Sequence, residues 1–250
     1  PTLIKSTPEG AKDFLVPSRK NPGTFYALPQ SPQMYKQLFM MSGFPNYYQI
    51  AKCYRDEDSR KDRQPEFTQL DLEFSNANPN LVKNNVEKII KSIFSEAFDI
   101  KINSSFPSLS FHDAVNLYGT DKPDLRIKET INDATNVFSN SNVSFIKDSI
   151  DNSGVFKYLF TPKILTRKEI DNFDALSKEL GSNGLGWIKY ENQNFSGPLA
   201  KHMSDNELTF VSALGEGTFL FQVGNLLDIS KTMDMLRTKL YERSEKEEHF

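Results

Sequence analysis

Three features of the 250-residue sequence predict an α+β fold. Two neighbouring segments alternate with the period of strands, several segments repeat apolar residues at helical spacing, and the two kinds are mixed along the chain. The composition, 38% hydrophobic and 25% charged, is typical of one large globular domain or two smaller ones. Since no run approaches the roughly 18 apolar residues of a membrane span, we expect no membrane partner.

Net charge and cysteine content argue against further classes of protein and site. The net charge is −3, so the chain is not a polycation and any nucleic-acid contact must be local. The single cysteine, Cys53, excludes an internal disulfide. One cysteine and three histidines also argue against a zinc site, and we expect no metal ligands of the protein's own.

The first clear element is a helix over 31–43. Ser31 is a suitable N-cap, Pro32 fits the first helical position, and Gly43 fits the residue after the C-cap.

A strand, a charged loop and a second strand follow, which predicts an antiparallel hairpin over 47–55 and 67–74. On the second strand, Phe67, Gln69, Asp71 and Glu73 share one face, and the other face is mostly apolar. The polar face fits a solvated outer face of a sheet. It also fits the floor of a pocket, because small residues on the first strand lead to Arg55, and an arginine can bind an anion such as phosphate. The same pocket could hold a Mg²⁺ ion or an amine near Asp71 and Glu73.

Later segments predict further elements. Apolar residues at helical spacing predict helices over 80–98 and at the end of the chain, and Ser110 begins another helix. A capping box, Thr166 to Glu169, opens a helix that extends to about Leu180. Strands are predicted over 184–189 and 218–223. The sequence therefore predicts a first domain over 1–155, a smaller α+β domain over 156–240 and a tail over 241–250.

Several sequence segments of this chain resemble those of bacterial-type aspartyl-tRNA synthetases. Arg55-Asp-Glu57, followed by the run from Arg63 to Glu73, resembles motif 2 of the class II synthetases. Residues 6–17 resemble the loop after motif 1, and residues 26–33 with Lys36 resemble the aspartate-binding segment. Residues 118–126 resemble the stretch before the inserted domain. Residues 184–189 and 196–201 resemble two diverged pieces of that insert. The resemblance implies a partial antiparallel-sheet catalytic domain over 1–155 with motif 2 at 49–74, and a diverged insert of the GAD type over 156–240.

The resemblance also implies a reaction and its residues. L-Aspartate would react with ATP, supplied with Mg²⁺ as the substrate complex, and the aspartyl group would pass to tRNA(Asp). Arg55 would be catalytic, bridging the aspartate carboxylate and the α-phosphate of ATP. The aspartate-binding residues would be Glu9, Gln33, Lys36, Arg55 and Asp71, and the ATP-binding residues would be Arg55, Asp56, Glu57, Gln64 and Phe67.

Within these sets, individual roles follow from the same resemblance. Glu9 would hold the ammonium group of aspartate, and Lys36 would bind its side-chain carboxylate while Asp71 orients the lysine. Phe67 would stack on adenine. The simpler interpretation makes Glu9 an exposed loop acid, Lys36 a solvated helix residue and Phe67 part of the core.

Departures from the family pattern define the alternatives. Most of motif 1, motif 3 and the OB-fold anticodon-binding domain are missing, so we expect a partial chain that does not aminoacylate alone and a homodimer in the full-length protein. The rivals are a non-catalytic paralogue, an asparaginyl-tRNA synthetase or a related asparagine synthetase. Frequent Asn and Lys with little Gly favour a mitochondrial matrix enzyme, with the bacterial cytoplasm as the alternative.

Overall fold

The computed structural model describes residues 1–7, 10–58 and 63–241. The chain forms two compact units, Pro1–Phe106 and Pro107–Phe250. Helices and antiparallel strands occur in both units, which confirms the α+β prediction. The division falls near residue 106 instead of the predicted 155, because residues 132–151 pack on the same sheet as the strands after 155. Identifying the two parts as catalytic domain and insert stays a prediction.

The first unit is built on the predicted hairpin. Its elements are β1 (Leu15–Pro17), β2 (Phe25–Ala27), α1 (Gln33–Met41), β3 (Asn46–Tyr54), β4 (Glu66–Phe74) and α2 (Pro79–Phe98). β1 pairs with β2, and β3 pairs with β4 over nine residues each, both antiparallel. The register sets Gln49 opposite Asp71 and Cys53 opposite Phe67, so the small and polar residues of both strands share one face.

The burial of the two hairpin faces contradicts the interpretation of the polar face as a solvated outer face. Ala51, Cys53 and Asp71 on the polar face are buried, whereas Tyr48 and Ile50 on the opposite face are exposed. The polar face is covered because α1 packs against β3 and extends Lys36 to Asp71. A solvated outer face is therefore the wrong interpretation of this alternation.

The helix ends follow the predicted signals with one exception. α1 begins at Gln33 with Pro32 as its N-cap, and no side chain caps it. The assignments of Ser31 as N-cap and Pro32 as first helical residue were therefore both wrong by one residue. Gly43 has φ +89°, which confirms the left-handed residue expected beyond the C-cap. In α2 the Asn78 side chain caps the helix by accepting from the Leu81 N–H at 2.9 Å.

The second unit is a five-stranded antiparallel sheet with helices on both faces. Its elements are α3 (Phe111–Tyr118), β5 (Asn132–Asp133), α4 (Thr135–Phe138), α5 (Ser144–Asp151), β6 (Val155–Thr161), α6 (Arg167–Glu179), β7 (Gly186–Glu191), β8 (Asn194–Ser196), α7 (Asp205–Ala213), β9 (Gly217–Gly224) and α8 (Leu226–Tyr241). The strand order is β5-β6-β9-β7-β8. The central position of β9 explains why its run from Gly217 to Gln222 is buried throughout.

Two hydrophobic clusters hold this unit together, one on each face of the sheet. The first is aromatic: Phe138 and Phe156 stack with ring centroids 3.9 Å apart, and Phe219 and Phe221 pack beside them. The second joins the sheet to α6 and α8 through residues such as Phe173 and Leu236. The partly buried Trp187 packs against the second cluster, as expected for a core residue.

The sequence prediction placed some of these elements and missed others. The capping box of α6 is present in full, with the Glu169 carboxylate accepting from the Thr166 N–H at 2.7 Å. β7 runs two residues later than predicted, at Gly186–Glu191, and β9 fits its predicted range. β5, α4, α5, β6, β8 and α7 were not predicted. Of the helices in the described ranges, none has the length and apolar character needed to traverse a membrane.

Candidate active site on the β3–β4 hairpin

The end of β3 is fixed by backbone hydrogen bonds from several segments. The Tyr54 N–H donates to the Pro29 carbonyl at 2.8 Å, and the Arg55 N–H donates to the Pro65 carbonyl at 2.8 Å. The Asp56 N–H donates to the Lys12 carbonyl at 3.0 Å. Because each donor in this stretch has a backbone acceptor, the direction in which Arg55 leaves the strand is set by the fold.

A cavity of about 370 Å³ opens beside Arg55. The Arg55 guanidinium lies 5.1 Å from the centroid of the Phe67 ring, a distance within the range of a cation–π contact. The ring is half-buried and is held by its pairing with Cys53 across the hairpin. The cavity is lined by Arg55, Glu57, Asp58, Arg63, Gln64, Pro65 and Phe67.

The lining unites four of the predicted ATP-binding residues: Arg55, Glu57, Gln64 and Phe67. Glu57 forms an ion pair with Arg63, whose Nη1 lies 3.0 Å from the Glu57 Oε2. This pair links the two ends of the hairpin loop. Asp56, also predicted to bind ATP, is exposed. Its backbone N–H donates a hydrogen bond to the Lys12 carbonyl, and Asp56 is not among the residues that line the cavity.

A second polar cluster lies farther along the same face. The Lys36 Nζ, extending from α1, contacts the Asp71 Oδ1 at 3.0 Å, the Asp71 Oδ2 at 3.1 Å and the Glu73 Oε1 at 2.7 Å. Desolvation alone would lower the pKa of Lys36, but hydrogen bonds and charge from Glu73 and Asp71 outweigh it, and the pKa is raised. Lys36 is therefore held as an ammonium group in a largely covered position.

Asp71 is the most enclosed acid of this cluster, with 5% of its side chain exposed. Its Oδ2 also accepts from the Gln69 Nε2 at 3.0 Å. Gln33, predicted to bind aspartate, is half-buried and lies one helical turn before Lys36, which sets both on one side of α1.

The segment around the predicted Glu9 is supported from one side. Gln30 is buried, and its Nε2 donates to the Ala11 carbonyl at 2.8 Å and to the Asp13 Oδ1 at 2.6 Å. Ser6 donates to the same Asp13 carboxylate. Glu9 itself lies outside the described residues.

Three contacts of this site were not assigned from the sequence. The strand pattern marked Glu73, beside Asp71, as a place where an amine could bind, but its pairing with Lys36 was not assigned. Arg63 lies in a loop rich in charges of both signs, and no pattern there selects its pairing with Glu57. Gln30 gives no sequence signal, because its partners lie 17 and 19 residues away.

Comparison with known proteins adds a family and several relatives. A family model described as tRNA synthetases class II (D, K and N) matches residues 1–240. The chain is 45% identical over 244 residues to the aspartate–tRNA(Asp/Asn) ligase of Hydrogenobaculum sp. (strain Y04AAS1), covering 96% of this chain and 41% of that protein. It is 43% identical to the aspartate–tRNA(Asp) ligase of Deinococcus radiodurans, covering 90% and 38%. With the aspartate–tRNA ligase of Mesoplasma florum the identity is 42%, covering 97% and 43%. The chain thus spans about two fifths of the length of these relatives.

Proposed function

Because the chain belongs to the family of class II tRNA synthetases (D, K and N), we propose that it forms part of an aspartate–tRNA ligase. The reaction would join L-aspartate to ATP as aspartyl-adenylate, release pyrophosphate, and transfer the aspartyl group to the 3′ end of tRNA(Asp). The relatives named as aspartate–tRNA ligases support this assignment. The activity is proposed for the whole protein, since this chain spans only part of the relatives' length.

One observation carries the proposal: the cavity beside Arg55 and the Lys36 cluster lie on the same face of one hairpin. Phe67 and Asp71 are four residues apart on β4, a separation of roughly 13 Å at about 3.3 Å per residue. This spacing fits an extended ligand with an aromatic base at one end and an acidic side chain at the other. Arg55 lies beside the first site, where the nucleotide phosphate would be placed.

At the nucleotide end, Arg55 would stabilise the negative charge that grows on the α-phosphate as the aspartate carboxylate attacks it. Phe67 would stack on adenine, and Glu57 and Gln64 would bind ATP from the cavity wall. Asp56 would contribute beside them. Mg²⁺ would arrive with ATP and offset the charge of its phosphates.

At the amino-acid end, the Lys36 ammonium group would bind the side-chain carboxylate of the substrate aspartate. Asp71 would hold the Lys36 ammonium group in the orientation that this contact needs. An ammonium group prefers a carboxylate to a neutral amide, which gives selection for aspartate over asparagine. Gln33 would line the same pocket, and Glu9 would bind the ammonium group of the substrate.

Partners and location complete the proposal. The full-length protein would act as a homodimer on tRNA(Asp), in the mitochondrial matrix or, since the named relatives are bacterial, in a bacterial cytoplasm.

The binding proposal is tested with a non-hydrolysable aspartyl-adenylate analogue titrated by calorimetry into the full-length protein that contains this chain. We expect saturable binding that is weakened at least tenfold by Arg55→Ala and by Lys36→Met, because each removes the charge that would face an anionic group. Lys101→Met, which removes an exposed lysine of the same unit, is the matched control and should bind as the unaltered protein does. Binding that is absent from the unaltered full-length protein, or unaffected by both site variants, would contradict the proposal.

A second titration separates the alternatives. An asparaginyl-adenylate analogue that binds more tightly than the aspartyl one would favour an asparaginyl-tRNA synthetase. Aspartate-dependent exchange of pyrophosphate into ATP, measured on the chain alone, should remain at background. Clear turnover would show that these residues carry a complete site.

A further inference from the structure

The Lys36 ammonium group is shared by two carboxylates of unequal character. Asp71 has 5% of its side chain exposed, binds Lys36 through both oxygens, and is also held by Gln69. Glu73 has 37% of its side chain exposed and contacts Lys36 through one oxygen at 2.7 Å. The two acids therefore hold the lysine with different numbers of contacts and at different exposure.

The formal charges of the cluster create a conflict with the ligand proposed for it. One lysine and two carboxylates sum to −1, yet the ligand brings a further carboxylate to the same ammonium group. With both acids in contact, an incoming carboxylate would meet two like charges and a nitrogen already engaged by three oxygens. A ligand carboxylate therefore gains full access only if one acid gives up its contact.

The structure indicates which acid does so. Withdrawing Asp71 would leave an enclosed charge without its partner, which is strongly unfavourable. Withdrawing Glu73 moves a half-exposed carboxylate into water, where the loss of a single ion-pair contact costs little. We propose that Glu73 is the exchangeable partner of Lys36: it occupies the ammonium group in the empty site, is displaced by the ligand carboxylate, and so lowers the affinity for aspartate.

This inference rests on the proposed function and gives the two acids opposite effects. Glu73→Gln removes the competing charge, so L-aspartate should bind about threefold more tightly, the change expected from losing one half-exposed ion-pair contact. Asp71→Asn removes the group that holds Lys36, so aspartate should bind about tenfold more weakly. If both acids only positioned the lysine, both substitutions would weaken binding.

The test is a titration of L-aspartate into the full-length protein and its Glu73→Gln and Asp71→Asn variants, followed by ligand-observed NMR, which suits weak binding. L-Asparagine is titrated in parallel. It should gain less than aspartate from Glu73→Gln, because the removed charge repels only the anionic ligand. Glu96→Gln, an exposed acid of α2, is the matched control and should leave both affinities unchanged.

The outcomes separate this inference from the proposed function. If the unaltered full-length protein binds aspartate and Glu73→Gln binds it equally or more weakly, the exchange is refuted and the proposed function stands. If neither the unaltered full-length protein nor any variant shows saturable binding, the proposed function fails and this inference fails with it. The sign of the Glu73→Gln effect decides the question even if Asp71→Asn does not fold.

Discussion

A buried lysine in the second unit gives a prediction that depends on geometry. Lys157, in the strand β6, has 1% of its side chain exposed, and its Nζ lies 2.9 Å from the Asp133 Oδ2 and 2.5 Å from the Asn116 Oδ1. Asp133, across the strand pair, has 46% of its side chain exposed. The two members of this ion pair are therefore unequally hydrated, and their removal should have unequal costs.

The magnitudes follow from what each substitution leaves behind. Asp133→Asn leaves the buried Lys157 ammonium with neutral partners, a change that costs about 3–5 kcal/mol for a fully buried pair. Since Asp133 is half-exposed, we expect about 2–3 kcal/mol here. Lys157→Met fills a similar volume with an apolar chain and leaves a hydrated carboxylate, so its cost should be about 1 kcal/mol or less.

The assay uses the single tryptophan of the chain. Trp187 packs against the second cluster, so its fluorescence during urea unfolding reports on the unit that holds the pair. Lys168→Met, on the exposed surface of α6, is the control for removing a lysine. Equal costs for Asp133→Asn and Lys157→Met, or a larger cost for Lys157→Met, would refute the reasoning.

The pH dependence of the same pair has a defined sign. Desolvation alone would raise the pKa of Asp133, but hydrogen bonds from Lys157 and Thr135 outweigh it, and the pKa is lowered. A carboxyl whose pKa is lower in the folded state stabilises the fold above its unfolded pKa, about 3.9, and loses this contribution as the pH falls through the folded value. Below about pH 4 the unaltered chain should lose stability relative to Lys157→Met.

Two further predictions concern local contacts. Gln30→Leu removes the donor to Ala11 and Asp13, so it should cost about 1–3 kcal/mol and speed hydrogen exchange of the backbone near them, which mass spectrometry can follow. Thr166→Ala should cost about 1 kcal/mol in urea unfolding followed by Trp187 fluorescence. The backbone N–H of residue 166 lowers the pKa of Glu169 to about 2, so the contribution of the Glu169 carboxylate to the capping box should persist above about pH 4.5 and fade as the pH drops towards 2. An unchanged exchange rate, or an unchanged unfolding midpoint, would contradict the respective prediction.

Much of the fold was readable because the signals are local. The period-two alternation of 67–74 predicted β4, since side chains of a strand point alternately to its two faces. The Thr166–Glu169 box predicted the start of α6, because both of its hydrogen bonds join residues three positions apart. In the last helix, Ile229, Met233 and Leu236 are buried as their helical spacing predicted.

The missed features depend on partners that are distant in sequence. β6 was not predicted, and its buried Lys157 is paired with Asp133 and Asn116, which lie 24 and 41 residues away in the sequence. Likewise, alternation alone separated the two faces of the hairpin without indicating which one is covered. That depends on where α1 packs.

The sequence by itself determined the helices and strands that have local signals. The order of its motif-like segments also determined the family resemblance, which the comparisons bear out. The sequence also placed Arg55 and Phe67 on one face of a hairpin, because residue spacing fixes the face of a strand. Only the tertiary structure decided that this face is covered, that Lys36 is shared between Asp71 and Glu73, and that Arg63 pairs with Glu57. The physical reason is that the charge balance of a site depends on distances between segments, and those distances are set by packing.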